Sequence, residues 1–344
     1  MKVAVVGASG YVGLELLRIL LRHGAFELAA VTSEQQAGRA VGDSFPSLRG
    51  RLDLRFEPAD AAALAGRVEL AFTALPHAAS AGMVAALRRA GVRVVDLSAD
   101  FRLRDPAVYR ATYGDHAAPE LLDSAVYGLP EVYREALRGA ELVAAPGCYP
   151  TGVLLPWLPF LREGLVEPVA WIDAKSGVSG AGRRPEVDYL FAELDGNCRA
   201  YKVGAAHRHV PEMEQEASRA AGLPAQVTFV PHMLPAVRGI VTTVFARPRA
   251  PLSASRAREV LQAAWGDETF VRVLPEGETP SLSAVRGSNF CDVAAFADER
   301  TGALLLLSSL DNLVKGAAGQ AVQCANLACG LPEDTGLLEA PLVP

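Results

Sequence analysis

The stretch KVAVVGASGYVGLELLRIL, residues 2–20, constrains the fold more than any other part of the chain. Five residues read as a short apolar strand, Gly7, Gly10 and Gly13 punctuate a turn, and Val12, Leu16, Ile19 and Leu20 recur at helical spacing. A strand that passes through a glycine turn straight into a helix opens a doubly wound parallel sheet. Glycine permits the tight turn and lets backbone N–H groups approach a pyrophosphate, which then sits at the positive end of the helix. Gly7, Ser9, Gly10, Tyr11, Val12 and Gly13 are therefore candidates for holding a dinucleotide, against the plainer reading of an ordinary tight turn.

Short apolar strands continue at ELAAVTS, VELAFTAL, VRVVDLS and ELVAAP, with a helix at SAGMVAALRRAG, a pattern that predicts a parallel sheet covered on both faces. Beyond about residue 150 the strands lengthen and the helices thin out, at VAWIDAKS, AQVTFVPHML, GIVTTVFARP, FCDVAAFAD and ALLLLSSL. The expected fold is α/β: a Rossmann-type doubly wound sheet over 1–147, then an α+β catalytic domain over 148–310 with a mixed or antiparallel sheet. At 344 residues the chain exceeds the roughly 250–300 that one core serves, so two domains are the default. The segment 311–330 reads as a helix, capped by Asp311, with Leu313, Ala317, Val322 and Leu327 on a buried face.

A net charge of −6 supplies no general attraction for nucleic acid or acidic membranes. The five cysteines are odd in number and lack CxxC spacing, so neither a disulfide framework nor a zinc site is indicated, and no metal is expected. The first strand follows the initial Met directly and no apolar run reaches the ~20 residues of a membrane span, so a soluble, cytoplasmic protein is expected.

Chemistry gathers at the strand ends. In VTSEQQAGR, hydroxyls at Thr32 and Ser33 with Arg39 nearby suit a 2′-phosphate and favour NADP over NAD, while Glu34 argues the other way. In VVDLSADFRL, Arg102 either holds a substrate anion or pairs with Asp96 or Asp100 to fix the loop. In AAPGCYPTG, Cys148 follows a strand and precedes a helix expected to start at Pro150, where the helix dipole favours the nucleophilic thiolate. The other four cysteines fall in apolar or helical patterns and read as structural. In YKVGAAHRHVPE, an extended backbone turns His207 and His209 to one side and Arg208 to the other; one imidazole can serve a thiolate while its neighbour holds the loop. KSGVSGAGRRP can offer donors from Ser176, Gly177 and Ser179 to phosphate or nicotinamide, or is simply a flexible turn.

GASGYVG, LPH, DLSADFRL, YGLPE, PGCYPTG, KSGVSGAGR, HRHVPE, RGI and DNLVKGAAGQAVQ occur in order over nearly the whole chain, and together they resemble the N-acetyl-gamma-glutamyl-phosphate reductase family. That resemblance implies an NADPH-dependent reductase of arginine biosynthesis, akin to aspartate-semialdehyde and glyceraldehyde-3-phosphate dehydrogenases. It implies Cys148 as nucleophile and His209 as general acid/base, an acyl-phosphate substrate met by Arg102, Tyr149, His207 and Arg208, and Asn312 near the nicotinamide. It also implies that helix 311–330 returns to the nucleotide domain and that the chain forms a homo-oligomer, dimer or tetramer. Lysine-pathway relatives acting on a carrier-bound aminoadipyl phosphate are the nearest alternative, and CYPTG favours the arginine pathway over them; aspartate-semialdehyde dehydrogenase is another. A non-catalytic NADPH sensor would have no use for the thiol and two histidines. A Cys–His hydrolase would have no use for GASGYVG.

Overall fold

Val3–Val6 are fully buried in succession, the mark of a strand covered on both faces. In this computed structural model, which describes residues 1–183 and 185–342, β1 (Lys2–Val6) lies between β2 (Glu27–Thr32) and β3 (Leu70–Thr73). The sheet continues through β4 (Arg93–Asp96), the two-residue β5 (Val126–Tyr127) and β6 (Leu142–Ala144), in the order β2-β1-β3-β4-β6-β5 with every pairing parallel. The chain runs outward from β1 to β2 and then restarts on the other side of β1 at β3. The loops after β1 and β3 therefore diverge, which opens the crevice where such sheets bind ligands.

These strands belong to the first of two units, Met1–Pro146 with Ala317–Glu339; the second comprises Gly147–Gly316 and the last residues from Ala340. The first unit takes in the helix Gly319–Ala328, which is buried on all sides rather than on the single face its spacing suggested. Its polar side chains are partnered: Asn326 bonds His23 at 2.8 Å, Gln323 donates to Glu131 at 3.2 Å, and the Cys324 thiol donates to the Gly128 carbonyl at 3.2 Å. Asp311 does cap a turn, accepting the N–H groups of Leu313 and Val314, but a wide π-helical turn at Val314–Ala318 separates it from the α-helix.

The second unit holds a seven-stranded mixed sheet of β7 (Val166–Gly177), β8 (Arg199–Ala200), β9 (Gln226–Leu234), β10 (Ile240–Pro248), β11 (Val271–Val273), β12 (Cys291–Asp298) and β13 (Ala303–Leu310). Their order is β11-β12-β13-β10-β7-β9-β8, with β7–β9 and β11–β12 parallel and the other pairings antiparallel. Along β10, buried Ile240, Thr242, Val244 and Ala246 alternate with Val241, Thr243, Phe245 and Arg247 on the opposite face. The helix Cys148–Arg162 covers the buried face.

That helix contains Pro156 and Pro159, each of which deprives a carbonyl four residues earlier of its donor. Both orphans are satisfied from elsewhere. Ser308 donates to the Gly152 carbonyl at 2.6 Å, and the Trp265 indole donates to that of Leu155 at 2.8 Å. Two interior prolines are thus tolerated because sheet and helix neighbours supply the missing hydrogen bonds.

Candidate active site

The three glycines of the first turn have three different surroundings. Gly7 sits at φ +85°, and a Cβ there would lie 2.7 Å from the Ala74 carbonyl oxygen. A Cβ on Gly13 would lie 2.4 Å from that of Ala8, so the helix presses directly on the turn. A Cβ on Gly10 would meet nothing within 4 Å. Gly10 caps the helix Tyr11–Leu20, whose first N–H groups have no acceptor within their own helix. An open backbone at a helix N-terminus fits a pyrophosphate.

At the end of β2, Ser33 is buried and donates its hydroxyl to Ser9 at 2.9 Å, while Thr32 accepts the Gly7 N–H at 3.2 Å. Glu34, the residue that argued for NAD, has its carboxylate on the Ala59 N–H at 2.7 Å. Arg39 is exposed and donates to Gln36 and to the Asp43 carbonyl at 3.3 and 3.2 Å.

At the end of β4, Asp96 is fully buried and accepts the hydroxyls of Thr73, Ser80 and Ser98, each at 2.6 Å; burial raises its pKa above the ordinary carboxylate range. Asp100 accepts the N–H groups of Ala78, Ser80 and Ala81 and the Tyr109 hydroxyl, and so holds the start of the helix Ala81–Arg89. Arg102 fixes its loop, through carbonyls in the bonds seen here. It is 5% exposed and donates to the carbonyls of Ala145 at 2.7 Å and Leu97 at 2.9 Å, bracing the loop.

In the second unit, Gly147 is the N-cap and Cys148 the first residue of the helix, two positions earlier than expected. Pro150 then falls within the first turn, where a missing N–H has no consequence. His209 is likewise an N-cap, of the helix Val210–Ala221, in a turn rather than in extended chain. The two helix starts meet at Gly147: a Cβ there would lie 2.7 Å from His209 Nε2, and the buried Glu212 accepts the Gly147 N–H at 2.7 Å. On the other side, a Cβ on Gly316 would lie 2.8 Å from the Cys148 Cβ. Cys148 itself is partly exposed.

His207 is 8% exposed, and its Nδ1 accepts the His209 N–H at 3.2 Å, which leaves the proton of the neutral ring on Nε2. Burial, reinforced by the charges of Lys202 and Arg208, lowers its pKa to about 4. The ring packs edge-on against Tyr149, Tyr201, Phe229 and His209, with centroids 5.4, 5.9, 5.0 and 4.9 Å away. Tyr149, expected to meet substrate, is 2% exposed and shares a 2.9 Å hydrogen bond with the Tyr201 hydroxyl, so it forms a wall behind the thiol. Burial raises the pKa of both phenols, Tyr201 to about 12, with the charge of Cys148 among the further causes.

Ser176 and Gly177 end β7, where a Cβ on Gly177 would lie 2.7 Å from the Arg238 nitrogen. The start of the loop beyond is pinned: Val178 and Ser179 donate N–H groups to the carbonyls of Ala236 and Val237. Asn312 ties the same loop, accepting the Gly239 N–H at 2.6 Å and donating to Ser179 at 3.0 Å. Arg208 is exposed. So is Cys198, against the expectation of a structural cysteine, whereas Cys291 and Cys324 are buried. Sequence reasoning missed Glu212, Tyr201, Gly147 and Gly316; the one local signal was the acidic residue three positions beyond His209 in the first turn of its helix. Among the described residues no helix is long and apolar enough to cross a membrane.

Residues 2–140 match the semialdehyde dehydrogenase NAD binding domain, and residues 148–312 the semialdehyde dehydrogenase dimerisation domain. The N-acetyl-gamma-glutamyl-phosphate reductase of Citrifermentans bemidjiense is 50% identical over 344 residues, covering 100% of this chain and 99% of that protein. That of Geobacter sulfurreducens is also 50% identical, covering 100% of both chains. Among solved structures, aspartate semialdehyde dehydrogenase II of Vibrio cholerae complexed with ASA superposes with a TM-score of 0.71 at 20% identity, covering 96% of this chain and 98% of that one. Aspartate semialdehyde dehydrogenase with NADP from Candida albicans gives 0.70 at 16% identity, covering 95% and 97%.

Proposed function

The chain belongs to the N-acetyl-gamma-glutamyl-phosphate reductase family of semialdehyde dehydrogenases, and from that premise we propose that it reduces N-acetyl-gamma-glutamyl phosphate to N-acetylglutamate 5-semialdehyde and phosphate with NADPH, in arginine biosynthesis. The observation that carries the reading is the meeting of Cys148, at a helix start, with the His209 imidazole packed against the preceding glycine. The helix dipole stabilises the Cys148 thiolate, which attacks the acyl carbon; the carbon–oxygen bond to phosphate breaks and a thioester remains. First-turn N–H groups of the same helix are donors for the oxyanion. Gly10, Tyr11, Val12 and Gly13 would hold the pyrophosphate of the dinucleotide at the helix start, and the reduced nicotinamide would supply a hydride. His209 donates a proton to the resulting thiohemiacetal oxygen and recovers it as the carbon–sulfur bond breaks, releasing aldehyde and thiolate. His207 stays neutral with its proton on Nε2, suited to orienting the loop or donating to substrate rather than exchanging protons.

The cofactor reading rests on Ser33, Arg39 and the diversion of Glu34 to Ala59, all of which suit a 2′-phosphate. NADPH oxidation with the acyl phosphate tests the whole reading: wild-type protein should turn over, preferring NADPH to NADH, and Cys148→Ser should bind NADPH but lose about 10³-fold or more in kcat, an alcohol ionising far less readily than a thiol. Near-normal turnover by Cys148→Ser would overturn the mechanism.

A second copy of the chain is the proposed partner. On the sheet face opposite the Cys148 helix, Phe296, Leu305, Phe245 and Trp171 stand side by side across β12, β13, β10 and β7, with Trp171 47% and Phe245 40% exposed. Such a row is an interface pattern, and it lies within residues matching a dimerisation domain. Trp171→Glu combined with Phe245→Glu should yield monomers in sedimentation; an unchanged oligomer would place the interface elsewhere.

A further inference from the structure

We propose that Lys202 is a substrate-binding residue, its ammonium group taking an anionic end of the substrate beside His207 and Arg208. The inference rests on the proposed acyl-phosphate substrate, which is anionic at both ends. Among the described residues only Lys202 and Ala78 hold a positive φ without being glycine, and Lys202 does so at +44°. A left-handed backbone crowds any Cβ; glycine takes it without strain, as Gly204 does two residues later at φ +66°. Strained residues of this kind gather where ligands are held, so a lysine kept at such a point marks its side chain as functional. The backbone around it is tied at both ends. Tyr201 donates its N–H to the Pro231 carbonyl at 3.1 Å and shares its hydroxyl hydrogen bond with Tyr149, the residue after Cys148. The His207 N–H donates to the Gly204 carbonyl at 3.3 Å, and the Tyr201 and His207 rings meet edge-on at 5.9 Å. From this anchored loop the Lys202 side chain stands exposed, and among the described residues no carboxylate pairs with it. Its charge reaches the buried His207 ring: after burial, Lys202 does most to lower the pKa of that imidazole, ahead of Arg208. Two cations and the neutral Nε2–H of His207 therefore stand together beside Tyr149, a set that suits a carboxylate or a phosphate.

Two substitutions separate the charge of this side chain from its backbone. Lys202→Gly removes the charge and the strain together; Lys202→Arg keeps the charge. Since glycine suits the backbone, Lys202→Gly should melt no lower than wild type, yet its KM for the acyl phosphate should rise about tenfold with kcat and the KM for NADPH unchanged. Lys202→Arg should stay within about threefold of wild type in that KM. Protection of Cys148 from iodoacetamide at pH 7, which needs no turnover, identifies the end that is held. Inorganic phosphate probes one end, and N-acetylglutamine, whose only charge is the α-carboxylate, probes the other. One of the two should protect wild-type and Lys202→Arg protein, and protect Lys202→Gly about tenfold more weakly. That result supports the proposal even if wild-type protein fails to reduce the acyl phosphate. An unchanged KM in Lys202→Gly, a rise as large in Lys202→Arg, or equal protection or none of all three proteins by both probes would overturn it. A lower melting temperature in Lys202→Gly would assign Lys202 to the fold and overturn it as well.

Discussion

Glycine does different work at the two candidate sites. In the first unit, Gly7, Gly10 and Gly13 lie within a single turn, and Gly7 is required by its positive φ. In the second unit, Gly147 and Gly316 have backbones open to any residue; they are glycine because His209 and Cys148 occupy the space a side chain would take. The glycines of the nucleotide turn come from one short stretch of sequence, with Thr32, Ser33 and Ala74 closing on it, whereas those of the thiol site come from segments distant in sequence. A local site can be read as a motif, but a site of close approaches shows its glycines only after folding.

Gly147→Ala is the most severe way to press this comparison. A methyl 2.7 Å from His209 Nε2 must displace the imidazole, so kcat should fall about a hundredfold while NADPH affinity, a property of the other unit, is unchanged. An unimpaired rate would show that His209 does not act from its observed position. Arg39→Ala tests the local site. Since only NADPH carries the 2′-phosphate, its affinity should drop about tenfold relative to that of NADH, the loss of one charge-assisted contact. Equal weakening of both cofactors would assign Arg39 to the fold.

The smallest effect concerns the two histidines. With its pKa lowered to about 4 in the folded chain against an ordinary 6.5, His207 takes up a proton more readily when unfolded. Its contribution to stability is complete above about pH 6.5 and is lost as pH falls toward about 4. His207→Asn should therefore flatten part of the decline in melting temperature over that window, by a few degrees, His23 retaining its own share of the decline. The same variant should keep the kinetic pKa of turnover, which His209→Asn should abolish. If His207→Asn removes that pKa, the two roles are reversed.

The outcome for individual residues follows the same division. Strand periodicity made β1–β4 and β6 legible along with the long strands of the second sheet, whereas β5, β8 and β11, two or three residues each, carry too little pattern to register. Cys148 and the histidine pair stood out by residue type and by their neighbourhood of Pro and Gly. Arg102 read equally as an anion ligand or a brace for its loop, and nothing local shows that two carbonyls accept from it. The prolines at 156 and 159 lie inside a helix whose continuation depends on Ser308 and Trp265 supplying the missing donors, partners no local pattern shows.

The sequence by itself determined what depends on short-range sterics and periodicity: the glycine turn into the first helix, the alternation of strand and helix, and a thiol ahead of a helical segment. The tertiary structure decided what depends on several distant segments sharing one small volume: the His209 ring against Gly147, the carboxylate of Glu212 on the same residue, the neutral tautomer of His207, and the burial of Tyr149 and Arg102. The physical reason is that backbone preferences act over a few bonds, whereas desolvation, hydrogen-bond pairing and close packing take their values from whatever the completed fold sets beside each group.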